Sequence, residues 1–293
     1  MSVSTMRMIG SGAAEAIPSP MCRCPICESA RVSRGKDIRS RSCFRVSPAL
    51  QIDFGPDQFY QSVVLGNDLT TITDLLITHT HEDHLAFTEL DLRAMSVCGA
   101  ETPVNVYASR AGCEWLRRAC APYGYAALLY EPCYRLISVD YGKPFVAGGL
   151  HVMPLKGNHR GYGEDEHSVN YLIRLPDGKT LYYATDTGYF LEETFEALRG
   201  VKLDYLVVEG TFGDSPLFQD ARTDGHMGCP GVLTVTRRLM KQGTLSASSG
   251  VYITHINHKH TLNHEKMQAF YDAQDLGVRF TVGYDGMEIG EGG

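Results

Sequence analysis

The segment His-Thr-His-Glu-Asp-His at positions 79–84 constrains this chain more than any other feature. It directly follows the apolar run Leu75–Ile77, which has the composition of a buried strand. If that run is a strand, His79 and His81 leave its end pointing the same way, because side chains alternate along an extended chain. Both imidazoles can then bind one cation.

Asp83 and His84 end this segment, at the point where the chain should turn into a helix over Leu85–Met95. They therefore project from a different backbone direction and can reach a second cation beside the first. Imidazole nitrogen and carboxylate oxygen suit Zn²⁺, Mn²⁺ or Fe better than Ca²⁺ or Mg²⁺ alone. The segment predicts a two-metal centre, and a histidine-rich surface turn is the alternative.

The spacing HxHxDH resembles the signature of the metallo-β-lactamase fold superfamily of binuclear hydrolases. The resemblance implies further ligands, each placed after a later strand. A third histidine for the first metal should follow the run 152–155, where His159 is the prediction and His167 the alternative. The last histidine should follow the run 251–254, and His255 fits that position.

The same resemblance implies an aspartate that bridges the two metals, at the end of the second strand of a hairpin. Asp186 follows the strand-like run 181–185, whose predicted partner is Val169–Leu175. The turn between them contains Pro176, Asp177 and Gly178, which are residues that tight turns prefer. Each position alone is weak evidence, but their order after successive strands is mutually consistent.

Three cysteines near the N-terminus form a second candidate metal site: Cys22, Cys24 and Cys27. Three thiolates leave a tetrahedral Zn²⁺ one ligand short. His258 is the predicted fourth ligand, and His260 and Cys43 are the alternatives. A Cys₃His site has no open position, so it would be structural and pin the N-terminal loop to the C-terminal part of the core. Disulfide formation is the competing interpretation.

The cysteine cluster also points to a more specific family within this superfamily. Together with Gly10–Pro18, Thr254–His258 and Gly283–Gly290, it resembles the phosphoribosyl cyclic phosphodiesterases of bacterial phosphonate breakdown over nearly the whole chain. The resemblance implies two divalent metal ions in the active site, Zn or Mn, and one structural Zn. The ligands it implies are His79, His81 and His159 for the first metal, Asp83, His84 and His255 for the second, Asp186 for both, and Cys22, Cys24, Cys27 and His258 for the structural Zn.

The family resemblance also implies a histidine that acts near the leaving group, and His226 is the matching position. A solvated loop histidine is the alternative interpretation. Asp83 and His226 are accordingly the predicted catalytic residues. Two segments, 98–149 and 160–166, are longer than the resemblance would predict and should border the metal cleft. Proteins of the pyrroloquinoline quinone pathway carry a similar cysteine cluster, so the cluster identifies a clan rather than one reaction.

Strand-like and helix-like runs interleave along the chain and predict an α/β fold, an αββα sandwich of the metallo-β-lactamase type. The strand-like runs include Met6–Ile9, Phe44–Ile52, Val104–Tyr107, Tyr134–Val139 and His151–Leu155. The helical patterns cover Arg110–Ala121, Leu191–Arg199, Cys229–Lys241 and Asn263–Leu276. Metal ligands would then come from loops along one edge of the sandwich.

The composition agrees with one domain over residues 1–293, since a chain of this length with 43% hydrophobic residues can bury a sizeable core. No run approaches the ~20 apolar residues that span a bilayer, and no signal-peptide pattern is present, so we expect a cytoplasmic protein without a membrane partner. A net charge of −7 argues against long nucleic acids. A small phosphodiester remains compatible, because metal ions would dominate the local field. A homodimer is expected from family resemblance only.

Six basic residues follow the cysteine cluster: Arg31, Arg34, Lys36, Arg39, Arg41 and Arg45. Such side chains can hold a substrate phosphate, but exposed charges are more often solvated or paired at the surface. Three aromatic residues fall near the candidate site loops: Tyr162, Tyr189 and Phe212. They could line a pocket for a sugar or base, but aromatic residues are more often core, so the sequence assigns them no role.

These observations predict hydrolysis of a small cyclic phosphodiester by a hydroxide held between two metal ions, with His226 donating a proton to the leaving alkoxide. Glu209 is a candidate for orienting a ligand imidazole. An acyl hydrolase for a lactone, lactam or thioester is one alternative. A nuclease of the tRNA 3′-processing type is another, but it would need a protruding basic arm. The third is a non-catalytic metal-binding accessory protein of cofactor biosynthesis.

Overall fold

Two mixed sheets dominate the computed structural model, which describes residues 6–97, 102–124, 133–220 and 223–290. The strands are β1 (Met6–Gly10), β2 (Cys43–Arg45), β3 (Leu50–Ile52), β4 (Asp74–Leu76), β5 (Val104–Ser109), β6 (Tyr134–Val139), β7 (Phe145–Ala147), β8 (Leu150–Arg160), β9 (His167–Arg174), β10 (Thr180–Ala184), β11 (Tyr205–Glu209), β12 (Gly250–Thr254), β13 (Arg279–Val282) and β14 (Met287–Ile289). The helices are α1 (Pro25–Ser33), α2 (Gln58–Val63), α3 (Asp91–Ala94), α4 (Arg110–Cys120), α5 (Glu192–Ala197), α6 (Cys229–Lys241) and α7 (His264–Asp272).

Among the described residues, both sheets have seven strands and follow the same plan. The first has the order β14-β1-β2-β3-β4-β5-β6, and the second has the order β7-β8-β9-β10-β11-β12-β13. In each order the first three pairs are antiparallel and the last three are parallel. The carboxyl ends of parallel strands lie at the same edge of a sheet, so the loops that follow them can form a functional site there.

Strand β10 shows how the layers form. Leu181 and Tyr183 face the other sheet, whereas Tyr182 and Ala184 belong to the cluster on the outer face. This two-residue alternation is the pleat of a strand that is covered on both sides. Helices α1, α5, α6 and α7 contribute to the outer cluster of the second sheet, and α4 packs on the outer face of the first. The predicted αββα sandwich is confirmed.

The structure corrects two of the sequence predictions. The run Phe44–Ile52 is not one strand, because the amide of Val46 donates to the carbonyl of Leu50 and closes a tight turn between β2 and β3. The expected helix over Leu85–Met95 is reduced to a 3₁₀ turn at Phe87–Leu90 followed by α3. The amide of Phe54 donates to the carbonyl of His84, and the amide of Ala86 donates to the carbonyl of Phe54. These two bonds hold Leu85 in an extended bridge, so the expected helix cannot begin there.

The predicted longer segment 98–149 contributes β5, α4, β6 and β7, while residues 98–101 and 125–132 of it lie outside the described residues. The predicted helices over Arg110–Ala121 and Cys229–Lys241 agree with α4 and α6 within one residue. In the part of the chain that the structure describes, no helix combines the length and apolarity that crossing a membrane requires.

Candidate metal centre

The metal-binding candidates lie at the ends of strands along one edge of the sandwich. His79 follows β4, Asp186 follows β10 and His255 follows β12, while His159 is the penultimate residue of β8 rather than following it. Asp186 and His255 adopt φ angles of +47° and +56°. Non-glycine residues pay for this left-handed conformation, and it is found preferentially where function requires it. This backbone conformation directs the side chains of Asp186 and His255 toward the other metal-binding candidates.

The first group of donors contains three imidazoles. His81 Nδ1 lies 2.9 Å from His79 Nε2 and 3.1 Å from His159 Nε2. Asp186 Oδ2 lies 3.2 Å from His79 Nε2. Two ligands of a tetrahedral zinc, each ~2.0–2.1 Å from the ion, are about 3.3 Å apart. Two imidazole nitrogens that face each other can form a hydrogen bond only if one of them carries a proton. A cation at the centre of this group therefore stabilises the three nitrogens better than hydrogen bonds between them do.

The second group contains Asp83, His84 and His255, and it also uses Asp186. His84 Nε2 lies 3.0 Å from Asp186 Oδ2 and 3.2 Å from Asp83 Oδ2. His255 Nε2 lies 3.0 Å from Asp186 Oδ1 and 3.2 Å from His84 Nε2. In each group all donor atoms lie within 4.8 Å of one another. The arrangement can therefore hold two adjacent cations that share the carboxylate of Asp186.

The pKa shifts differ between the two groups of donors. Burial, together with neighbouring imidazoles, lowers the pKa of His79 well below its usual value and that of His81 to about 4. Both rings are thus neutral and offer lone pairs. Burial opposes ionisation of Asp83, but the charge of His84 outweighs it and holds the pKa of Asp83 well below its ordinary range. Burial likewise opposes a proton on His255, yet Asp186 raises its pKa to about 10, so this group attracts positive charge.

Hydrogen bonds behind the ligands fix their orientation. His84 Nδ1 lies 2.6 Å from Asp53 Oδ2, and Asp53 Oδ1 accepts bonds from the amide and hydroxyl of Thr78. His159 Nδ1 donates to the carbonyl of Gly225 at 3.0 Å. Such partners hold the ring so that its other nitrogen faces the metal. Asp53 was not among the predicted residues, although it follows β3 as Asp186 follows β10.

Glu209 has the orienting position that the sequence suggested, and it acts through two contacts. His255 Nδ1 lies 2.9 Å from Thr211 Oγ1, which in turn donates to Glu209 Oε2 at 2.5 Å. His226 Nδ1 lies 3.0 Å from the same carboxylate oxygen. Backbone amides of Thr187, Gly188 and Met227 also donate to Glu209. Its oxygens therefore accept several hydrogen bonds, while Asp186, Glu209, His226 and His255 also bring donor atoms within 4.8 Å of one another.

His226 lies at the rim of the cluster. Its ring centroid is 4.7 Å from that of His159 and 5.5 Å from that of His255, and its side chain remains 25% exposed. Burial lowers the pKa of His226, but Glu209 and Asp186 raise it more, so the net shift is upward. A partly exposed imidazole that retains its proton beside a metal cluster can serve as a general acid.

The predicted cysteine site also comes together. His258 Nδ1 lies 3.4 Å from Cys24 Sγ and 3.5 Å from Cys27 Sγ, and Cys22 completes the group. All the described cysteines are free thiols, so the disulfide alternative is not realised among them. Burial opposes thiolate formation, but hydrogen bonds from the Cys27 amide and His258 lower the pKa of Cys24 to about 7. The four donors fit one tetrahedral Zn²⁺.

Three alternative ligands are not in these groups. His167 Nδ1 faces the carbonyl of Gly157 at 3.2 Å instead of the cluster. His260 Nδ1 accepts the amide of Leu262, and Cys43 is buried in β2. Of the three aromatic candidates, Tyr189 is buried, Tyr162 contacts His81, and Phe212 contacts His226.

A family model described as a β-lactamase superfamily domain matches residues 50–261. The chain belongs to the metallo-β-lactamase superfamily. A metal-dependent hydrolase of Nitratidesulfovibrio vulgaris (strain DP4) is 28% identical over 143 residues, which are 48% of this chain and 53% of that protein. The chain thus spans about half the length of the curated relatives it matches.

Several solved structures share the fold over nearly the whole chain. A diphosphatase of the PhnP family has a TM-score of 0.70 at 21% identity, covering 98% of this chain and 96% of its own. Zn²⁺-bound PqqB from Methylobacterium extorquens has a TM-score of 0.72 at 19% identity, covering 98% and 99%. The short form of human tRNase Z has 0.61 at 17% identity, covering 98% of each chain. At these identities the likeness concerns the fold.

Replacing Asp53 should weaken metal binding without removing a ligand. In Asp53→Asn the amide can no longer offer His84 a charged acceptor, so we expect ~10- to 100-fold weaker binding of the metal held by His84. Competition between the protein and a chelator for Zn²⁺ or Mn²⁺ measures this affinity. The matched control is Asp74→Asn, another buried aspartate, which contacts Tyr107 and Asn105 away from the cluster. Equal weakening in both variants would contradict the orienting role.

Replacing Cys27 should remove one zinc per chain. We expect Cys27→Ser to lose one equivalent of bound Zn²⁺ and, after Co²⁺ substitution, the thiolate-to-metal absorption in the near ultraviolet, because serine is a poor ligand for this soft site. Elemental analysis and absorption spectra measure both. Cys43→Ser is the control, since Cys43 is buried outside the group. If only Cys43→Ser loses the metal, the Cys₃His assignment is wrong.

Proposed function

We propose that this protein is a metal-dependent hydrolase, and specifically a binuclear phosphodiesterase for a small cyclic phosphodiester. The observation that carries the proposal is the pair of donor groups that share Asp186, with a histidine and its carboxylate partner at their rim. Two adjacent cations in a cleft suit a phosphate, whose non-bridging oxygens can contact both.

In this proposal His79, His81 and His159 would hold the first metal, Asp83, His84 and His255 would hold the second, and Asp186 would serve both. Cys22, Cys24, Cys27 and His258 would hold a structural zinc. When bound, the two active-site cations supply Lewis acidity, which activates water and neutralises charge on the phosphate. The chain itself fixes the ligand rings through Asp53, Thr211 and the carbonyl of Gly225.

His226 supplies the proton that the departing oxygen needs. With Nδ1 engaged by Glu209, Nε2 is the nitrogen that can donate to a leaving group. Glu209 both orients the ring and favours its protonated form. An alkoxide leaving group requires such an acid, since it departs poorly with its full charge.

The proposal of a phosphorus centre agrees with the names of two solved structures that share the fold. These are a diphosphatase of the PhnP family and the short form of human tRNase Z, each matched over 98% of this chain. Action on a long nucleic acid is not part of the proposal, because the chain carries a net charge of −7. The homodimer and the cytoplasmic location stay predictions.

Asp186→Ala should abolish hydrolysis of bis(p-nitrophenyl) phosphate and 2′,3′-cyclic nucleotides by metal-reconstituted protein. Losing the shared ligand removes several kcal/mol of transition-state stabilisation, so we expect kcat/KM to fall about 10³-fold or more. Asp74→Asn is the control for a buried carboxylate outside the cluster. Turnover of a lactone, lactam or thioester instead of the phosphodiesters would replace this proposal with an acyl hydrolase.

His226→Gln should affect substrates according to their leaving groups. We expect kcat to fall about 10²- to 10⁴-fold for 2′,3′-cyclic nucleotides, whose leaving group is an alkoxide, and much less for bis(p-nitrophenyl) phosphate. The wild type should lose activity as pH rises through the raised pKa of His226, since the acid must be protonated. The variant should lack that alkaline decline. An equal loss for both substrates, with an unchanged pH profile, would argue against the role of general acid.

A further inference from the structure

A recess of about 240 Å³ opens directly beside the proposed metal ligands His81 and Asp83. Its remaining walls include Arg41, Pro56, Glu82 and Tyr162. The recess therefore has room for a substituent of a phosphate held by the two donor groups. The composition of the recess indicates what that substituent is.

Tyr162 provides an exposed aromatic surface next to the cluster. Its ring centroid is 4.6 Å from that of His81, and the residue remains 54% exposed. Behind it, Trp115 lies at a centroid distance of 5.8 Å with a tilted geometry. The ring is thus supported by protein on one side and open on another, as in side chains on which nucleic-acid bases stack.

Hydrogen bonds hold the backbone of the loop that carries Tyr162. The amide of Tyr162 donates to Thr80 Oγ1 at 2.8 Å, and the amide of Gly163 donates to Glu166 Oε2 at 2.8 Å. Thr80 also donates to Glu166, whose side chain is buried. A Cβ on Gly161 would lie 2.2 Å from Glu166 Oε2 and 2.9 Å from Thr80 Oγ1, so a larger residue there would displace the side chains that hold the loop. The backbone that carries the ring is therefore fixed, which reduces the entropy lost when a ligand binds.

Of the six basic residues after the cysteine cluster, Arg41 is the one that lines this recess. Its Nε donates to the carbonyl of Ala14 at 3.1 Å, and its Nη1 donates to Asp57 at 2.9 Å. The guanidinium plane is therefore fixed, and its charge is offset by Asp57. Glu82 adds a negative charge to the same walls. A planar, neutral group fits these walls better than a second phosphate does.

We propose that Tyr162 and Arg41 form a subsite for the planar base of a nucleoside phosphodiester, so that the substrate class is a base-bearing cyclic phosphate. The inference rests on the proposed phosphodiesterase function. It also gives the longer segment 160–166 a role: the segment is the element that sets substrate specificity in this chain.

The test compares 2′,3′-cyclic AMP with methyl riboside 2′,3′-cyclic phosphate, which lacks a base, as substrates of the metal-reconstituted enzyme. We expect the wild type to have the higher kcat/KM on cyclic AMP. In Tyr162→Ala the ratio of the two kcat/KM values should fall tenfold or more, mainly through KM for the base-bearing substrate. Tyr162→Phe keeps the ring and should keep the ratio within about twofold of wild type.

Binding of adenosine 2′-monophosphate and of ribose 5-phosphate to the same proteins, measured by calorimetry, gives a second readout that needs no turnover. Tighter binding of the adenosine compound that is lost in Tyr162→Ala supports the subsite. A wild-type ratio at or below one, or a ratio that Tyr162→Ala leaves unchanged, overturns it while the phosphodiesterase proposal stands. If neither cyclic phosphate is hydrolysed, the phosphodiesterase proposal fails, and the calorimetry alone decides whether the subsite exists.

Discussion

The carboxylate of Asp186 is the interaction on which the rest of this site depends. It is buried, it faces imidazoles of both donor groups, and its backbone adopts a φ of +47°. A buried carboxylate is costly unless opposite charge surrounds it. The histidines around it, and the cations they can hold, supply that charge. The arrangement at this edge of the sandwich therefore depends on side chains that come from several strand ends.

The repeated plan of the two sheets explains why so many groups meet at one edge. Asp53 follows β3 and Asp186 follows β10, which are corresponding strands, and both residues have positive φ angles. One aspartate orients His84 from behind, and the other faces the donor groups directly. Two corresponding positions thus perform different tasks. Because the parallel strands of both sheets end at the same edge, the loops of one sheet can orient residues from the other.

How much could be predicted from the sequence depended on the distance over which each contact acts. The segment 79–84 carries its own spacing, and Asp186 and His255 were reached through the family resemblance together with the order of the later strands. Asp53 and Glu166 were missed because their partners, His84 and Thr80, are 31 and 86 residues away and leave no local pattern. The helix over Leu85–Met95 failed for a related reason, since pairing of the chain with Phe54 outweighs local preference. The single-domain organisation stays a prediction.

The cysteine group and the metal cluster are joined through a short piece of backbone. His258 is three residues beyond His255, and between them the amide of Ile256 donates to Ser11 while that of Asn257 donates to Thr211. The N-terminal segment is thus hydrogen-bonded to the loop that carries the proposed ligand His255. A structural zinc would join the N-terminal segment to the same loop a second time, through His258. Ligand geometry is set by these long-range contacts. The walls of the adjoining recess come from separate loops, so substrate preference can vary without disturbing the metal ligands.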